Sequence, residues 1–330
     1  MIGVTIDDIL SIDNDQLFNE MALRIFRFQA ENTNVYRRYL EFIGTDPLSV
    51  KSIDEIPFLP VEFFKDHQIL GEDLKQSIQY TFSSSSTTGI GVSKHHYADI
   101  SWYEKSFSRA FEQFVDTRDL EISALLPGYL ERNDSALIYM VNRLMEKYNE
   151  SGPAFYLHDH EALVDRLRSN TRKGKRNLLI GVTHALLTLS ENFPYEFDMQ
   201  VMETGGMKGQ RKELTPREIH DQLKQAWGLR SIMGEYGMTE LSSQAYSRAD
   251  GIFRSPNWMR ISIRERDDPF SSAPQGRTGG INVIDLANAE SCSFIATSDL
   301  GRVHSDDSFE VLGRFDHSDI RGCNLLVVNE

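Results

Sequence analysis

The sequence predicts an α/β fold: a sheet with helices on its faces, running into a β-rich final part. Two patterns point to it. Between residues 99 and 235 short apolar runs alternate with stretches of helical periodicity, and beyond residue 258 only short strand-like runs remain, separated by glycine and aspartate turns. The 330 residues, 40 % apolar and 25 % charged, are those of an ordinary globule with a large core.

The first eighty residues read as helix followed by an extended linker. Across 15–43 the apolar residues Phe18, Met21, Ala22, Ile25, Tyr36, Tyr39 and Leu40 recur at helical spacing, interrupted by the polar Asn32-Thr33-Asn34. Ile56-Pro57-Phe58-Leu59-Pro60 cannot continue a helix, because each proline lacks a donor and restricts its predecessor. An ordered loop is expected there, leading into Val61-Glu62-Phe63-Phe64-Lys65.

In 81–250, Asp99 can cap a helix whose Phe107, Ala110, Phe111 and Phe114 form one stripe, and 122–126 reads as a buried strand. Residues 135–148 look helical, whereas 178–182 and 199–202 look like strands, the second ending at Gly205-Gly206. Thr215-Pro216-Arg217-Glu218 is a strong helix start, with threonine at the cap, proline first inside and glutamate third. In 251–330 the runs 258–266, 280–285, 293–297, 309–312 and 324–328 read as strands. No repeat or low-complexity tract divides these parts, so one domain over 1–330 is expected.

Composition excludes several function classes. With 49 acidic against 35 basic side chains the net charge is −14, which gives no basic face for nucleic acid. No run approaches the ~18 consecutive apolar residues of a membrane span, and the start lacks the basic and apolar parts of a signal peptide. Two cysteines in so long a chain point to a reducing compartment, so a cytoplasmic protein is expected.

Two segments carry chemistry. The first, Thr81-Phe82-Ser83-Ser84-Ser85-Ser86-Thr87-Thr88-Gly89 followed by Ser93-Lys94, offers hydroxyls, a glycine and a lysine, groups that hold a polyphosphate. The second, Gly234-Glu235-Tyr236-Gly237-Met238-Thr239-Glu240, places an aromatic ring, a hydroxyl and a carboxylate within five residues. Together they supply phosphate anchors, a plate for a base and a ligand for magnesium, so a nucleotide-using enzyme is the leading reading. The bland alternatives are a solvated turn for the first segment and a strand-to-helix junction capped by Thr239 for the second. Gly205-Gly206 and Gly234 to Glu240 both follow predicted strands, where α/β sheets gather ligands. HExxH, CxxC, Walker and GxSxG patterns are missing from the sequence.

With Thr297-Ser298-Asp299-Leu300-Gly301, Gly313-Arg314-Phe315-Asp316 and Arg321-Gly322, these segments fall in the order seen in the adenylate-forming superfamily, which the chain resembles along most of its length. The 56–65 segment and Ser93-Lys94-His95 are most similar to its acyl-protein synthetase (LuxE-like) branch. The resemblance implies helices around a mixed sheet, and activation of a carboxylic, fatty, acid by ATP and magnesium to acyl-AMP. Ser84, Ser85, Thr87, Thr88, Gly89 and Lys94 would clamp phosphates, and Gly205 and Gly206 would allow close backbone approach. Tyr236 would stack on adenine, Thr239 would touch the α-phosphate, Glu240 would bind the metal, and Asp299 and Arg314 would hold the ribose. The acceptor implied is a thiol, Cys323 of the chain itself, before passage to a reductase or other protein; Cys292 reads as core. Coenzyme A as acceptor, or a silent nucleotide-binding module, are the alternatives.

Two departures stand out. Ser86 takes the place of a glycine usual in that loop. Only Cys323 to Glu330 follow the final Arg-Gly, so the mobile C-terminal domain of the superfamily, with its lysine, is expected to be absent. His95 and His96 read either as phosphate-orienting groups or as surface residues at a helix start, and His184 reads as a core residue.

Overall fold

The computed structural model describes residues 3–84, 91–126, 134–205 and 215–315. It opens with three helices, α1 (Ile6–Leu10), α2 (Asp15–Asn32) and α3 (Asn34–Phe42). The polar interruption read in the sequence is the break between the last two. Thr33 there has extended backbone, φ −100° and ψ 99°, and its hydroxyl donates to the Ser291 carbonyl at 3.1 Å.

The proline segment is an ordered connection, as expected, and it also contributes a two-residue strand, β1 (Leu59–Pro60), ahead of α4 (Phe63–Asp66). A proline fits because β1 lies at a sheet margin, where the missing donor breaks no ladder. The hairpin β2 (Tyr80–Ser83) and β3 (Lys94–Tyr97) follows, then α5 (Ser101–Phe114). Asp99 serves that helix from one position further out than a cap, its Oδ1 accepting from the Ser101 amide at 2.9 Å.

The central alternation runs β4 (Leu120–Leu125), α6 (Ala136–Tyr148), α7 (His160–Arg172), β5 (Arg176–Gly181), α8 (Thr183–Asn192), β6 (Met199–Thr204), α9 (Pro216–Trp227) and β7 (Met233–Tyr236). The helix start at Thr215 forms the reciprocal capping box: Thr215 Oγ1 accepts from the Glu218 amide, and the Glu218 carboxylate accepts from the Thr215 amide at 2.7 Å. The last strands are β8 (Ala245–Ser247), β9 (Ile252–Arg254), β10 (Met259–Arg264), β11 (Gly279–Asp285), β12 (Phe294–Val303) and β13 (Phe309–Arg314).

All but the hairpin join one mixed sheet in the order β10-β11-β12-β13-β9-β8-β7-β6-β5-β4, with β1 parallel to β12. Strands β4 to β7 are parallel and the others along the path antiparallel. The β-rich last part therefore extends the α/β sheet. Side chains alternate between its faces. Ile122, Leu178, Met202 and Met233 pack with Phe107, Phe111 and Val141 on one side, while Leu125, Leu179 and Val201 pack with Leu163, Leu186 and Trp227 on the other. Among the described residues no helix is long and apolar enough to cross a membrane.

Candidate active site

The hydroxyl-rich loop springs from the β2–β3 hairpin, in which Ser83 faces Lys94 across the strands. Two hydrogen bonds close its base: the Ser84 amide donates to the Ser93 carbonyl at 2.9 Å, and the Ser93 amide donates to Ser84 Oγ at 3.0 Å. Alternation along β3 then separates neighbours by environment. Lys94 is exposed, while His95 is 1 % exposed.

His95 is neither a phosphate ligand nor a surface residue at a helix start; it is the bolt between the hairpin and the second segment. Its Nδ1 lies 2.9 Å from the Thr239 carbonyl and its Nε2 3.0 Å from Ser291 Oγ. A neutral ring meets both needs, with Nδ1–H donating to the carbonyl and Nε2 accepting from the serine hydroxyl. Burial drives the His95 pKa down to about 3, which keeps that ring neutral.

The second segment leaves the sheet at the end of β7 and returns antiparallel as β8, so Thr239 caps no helix. Buried polar groups hold the turn from below. Asp285 accepts from the Ser242 and Ser243 amides at 2.9 and 2.8 Å, from Ser243 Oγ at 2.6 Å and from the Ala287 amide at 3.1 Å. Burial lifts its pKa to about 6 against those donors. Asn288 Nδ2 donates to the Glu240 carbonyl at 2.8 Å, and its Oδ1 accepts from Ser242 Oγ. None of these residues stood out in the sequence; their signal was a polar residue ending an apolar run.

Glu240 is 7 % exposed. Burial raises its pKa, opposed by a hydrogen bond from the Ser93 side chain and by the charge of Arg314. Ser93 thus touches both the loop base and the carboxylate of the second segment.

Asp299 and Arg314 face each other across β12 and β13. The Arg314 Nε donates to Asp299 Oδ1 at 2.9 Å, and the Tyr236 hydroxyl donates to Asp299 Oδ2 at 2.9 Å. Burial, and then the neighbouring Asp299, lift the Tyr236 phenol well above its ordinary range, so it stays a donor. Among the described residues each of these carboxylate oxygens accepts a single side-chain hydrogen bond, and a carboxylate oxygen can accept two. The Tyr236 ring meets Phe253 and Phe309 edge-on with centroids 6.1 and 5.7 Å away. It is 8 % exposed, so a base stacking on it needs its neighbours to give.

Gly205 sits at the end of β6 with φ +75°, the left-handed region that glycine enters without strain. Its carbonyl accepts from Thr183 Oγ1 at 2.9 Å, and beside it His220 Nε2 pairs with the Glu203 carboxylate at 2.9 Å. Lys94, Ser84, Glu240, Thr239, Tyr236, Asp299 and Arg314 thus fall into one connected region although 230 residues separate Ser84 from Arg314. Ser85, Thr87, Thr88, Gly89, Gly206 and Cys323 lie outside the described residues, as do Ser86 and 324–328.

The donor set fits magnesium in one way. No group of three histidine, cysteine or acidic side chains able to hold a metal occurs among the described residues. A single buried carboxylate, Glu240, suits an ion whose other ligands are nucleotide oxygens and water. Cys292 is fully buried, its thiol 3.4 Å from the Phe294 carbonyl, and burial pushes its pKa up to about 12. It is a core residue.

The acyl-protein synthetase (LuxE) family matches residues 9–330. A comparison with curated protein sequences gives no match. Among solved structures, 2-hydroxyisobutyryl-CoA ligase in an open conformation with 2-HIB-AMP and CoA is 14 % identical, with a TM-score of 0.66 over 92 % of this chain and 70 % of that one. The same ligase in its postadenylation state with 2-HIB-AMP gives 15 % and 0.68, over 92 % and 68 %. ATP-bound MatB from Rhodopseudomonas palustris is 14 % identical with a TM-score of 0.53, over 72 % of this chain and 48 % of that one. This chain spans about half the length of MatB. At such identities the likeness is one of fold, that of adenylate-forming enzymes.

Proposed function

The chain belongs to the acyl-protein synthetase (LuxE) family, and on that premise we propose that it activates a carboxylic acid, of the fatty class, with ATP and then transfers the acyl group to a thiol. The observation that carries the reading is the convergence of Ser93, Glu240, Tyr236, Asp299 and Arg314 from four separate stretches of chain. In this reading Ser84 and Lys94 serve the phosphates, Tyr236 the base, Asp299 and Arg314 the ribose and Glu240 the metal.

In this reading a carboxylate oxygen of the acid attacks the α-phosphorus of ATP, forming acyl-AMP and expelling pyrophosphate. Lys94, exposed at the foot of the loop, offsets charge on the leaving group. Thr239 stands at the α-phosphate, its backbone fixed by His95. Asp299 accepts from ribose hydroxyls while Tyr236 and Arg314 hold it in place. Magnesium bound at Glu240 would neutralise phosphate charge. In the second step a thiolate attacks the acyl carbon and AMP departs. Cys323 is the acceptor proposed within the chain, since the high pKa of buried Cys292 unsuits it for attack.

Coenzyme A is the second reading for the acceptor, supported by the likeness to a ligase solved with its acyl adenylate and CoA. One experiment separates these outcomes. With ATP, magnesium and labelled acid, self-acylation predicts a label on the protein that hydroxylamine removes and that Cys323→Ser abolishes, with pyrophosphate release preserved. Release without any label assigns an external thiol. ATP binding without acid-dependent release reduces the chain to a nucleotide-binding module.

A further inference from the structure

Strand β12 is irregular at the residues that enter the site. Its register against β11 passes from Asn282 opposite Ala296 to Gly280 opposite Leu300, so the single residue Ile281 faces Thr297, Ser298 and Asp299 together. A bulge of this kind interrupts the ladder and re-aims the side chains it carries. Asp299 is one of them, and its carboxylate meets Tyr236 and Arg314.

An interrupted ladder leaves backbone carbonyls that need other donors. Arg264 supplies them. It stands opposite Gly280 in the β10–β11 register, and its side chain crosses β11 to reach β12. Nη1 donates to the Ile281 carbonyl and to Asn282 Oδ1, each at 2.8 Å, while Nη2 donates to the Thr297 carbonyl at 2.5 Å. The planar fork thus serves carbonyls on two adjacent strands at once, which the point charge of a lysine does not. The Thr297 hydroxyl completes the clamp: it donates to the Ile281 carbonyl at 2.9 Å and accepts from the Asp299 amide at 3.1 Å. Ser298 is held from outside, its hydroxyl donating to Glu62 Oε1 at 2.6 Å and its carbonyl accepting from the Phe315 amide at 2.9 Å.

The crossing depends on a missing carbon. A Cβ on Gly280 would stand 2.7 Å from Arg264 Nε and 2.8 Å from Nη1, and closer still to Cζ. Any side chain there would push the guanidinium off its carbonyls. Burial works against the charge of Arg264, and the Glu62 and Asp299 carboxylates work for it.

We infer that Arg264 is a positioning residue of the nucleotide site, clamping the bulge of β12 and so fixing the aim of the Asp299 carboxylate at the ribose. The inference rests on the reading of Asp299 as the acceptor of ribose hydroxyls. Arg264 itself touches no ligand in it. It acts through Thr297, whose carbonyl it holds and whose hydroxyl holds the Asp299 amide.

The test measures binding of ATP, 2′-deoxy-ATP and 3′-deoxy-ATP by calorimetry, and so does not depend on turnover. A site that hydrogen-bonds a hydroxyl rejects the analogue lacking it, so the wild-type protein should bind ATP about tenfold or more tighter than at least one deoxy analogue. Arg264→Ala and Gly280→Ala should each bring that ratio toward one. In the double variant Gly280→Ala should add nothing further, because its carbon no longer has a guanidinium to displace. The ratio is taken within each protein, so partial unfolding does not imitate the effect, and if Arg264→Ala fails to fold, Gly280→Ala carries the test. Full discrimination in a folded variant makes Arg264 a filler of the bulge and overturns the inference, with Asp299 left at the ribose. Equal binding of all three nucleotides by the wild type removes Asp299 from the ribose and the inference with it. No binding of ATP at all removes the nucleotide reading itself.

Discussion

Lys94 and His95 are adjacent in one strand and live in opposite worlds. The lysine is exposed at the foot of the loop; the histidine is 1 % exposed and hydrogen-bonded at both nitrogens. The same contrast divides the whole site into a rim and a floor. Rim groups such as Lys94 and Arg314 have charge facing solvent and are available to a ligand. Floor groups such as His95, Asp285 and Asn288 spend their hydrogen bonds on the backbone of the turn at 239–243. The lesson is a division of labour: the rim does chemistry, and the floor fixes where it is done.

The floor should break first. Asp285→Ala strands the four donors that now converge on one buried carboxylate, and losing a buried acceptor of this kind should cost at least about 3 kcal/mol of stability. Urea unfolding followed by fluorescence measures it. A loss below about 1 kcal/mol would mean that water replaces the carboxylate and that the turn does not depend on it.

At the rim the pattern inverts. Lys94→Ala removes a solvent-facing charge, so stability should stay within about 0.5 kcal/mol. Acid-dependent pyrophosphate release should fall by about a hundredfold or more, the scale for losing one preorganised charge. Near-normal turnover in the variant would strike Lys94 from the mechanism. A large fall in stability would place it in the floor.

This division explains what was legible in the sequence. Rim residues come in short recognisable strings, so Lys94, the 236–240 segment, Asp299 and Arg314 could be singled out by type and order. The capping box at Thr215 and the apolar stripes of α2 and α5 were equally readable, because capping and periodicity are local. The floor was not. His95 looked like half of an exposed pair because nothing local shows that Ser291 and Thr239 close over it. Asp285 reads only as the last residue of a strand until the fold brings Ser242 and Ser243 to it. Helices α7 and α8 went unassigned for a related reason: α7 carries a mostly charged outer face, and α8 follows its strand with no connecting loop to mark the change. The joining of the late strands to the central sheet was also hidden, since pairing β13 with β9 is a long-range choice.

Glu235 sits between the two classes, half-buried beneath the turn yet carrying a titratable carboxyl, and it offers the finest test of the contrast. Burial lifts its pKa from 4.5 to about 7, with the Thr204 hydrogen bond pulling the other way. Between those two values the folded protein holds a proton that the unfolded chain releases, so stability falls as pH rises through that window. The penalty is small below pH 4.5 and complete above about 7. Glu235→Gln carries no titration there. Relative to the wild type it should gain roughly 1–2 kcal/mol between pH 5 and pH 8, less than the full linkage value because the carboxyl keeps contact with solvent. The opposite shift at His95 and the parallel one at Asp285 occur in both proteins and cancel in the difference. Melting curves of the pair at the two pH values decide the matter. A difference that does not change with pH would show a carboxyl hydrated like any surface glutamate, and would move Glu235 from the floor to the rim.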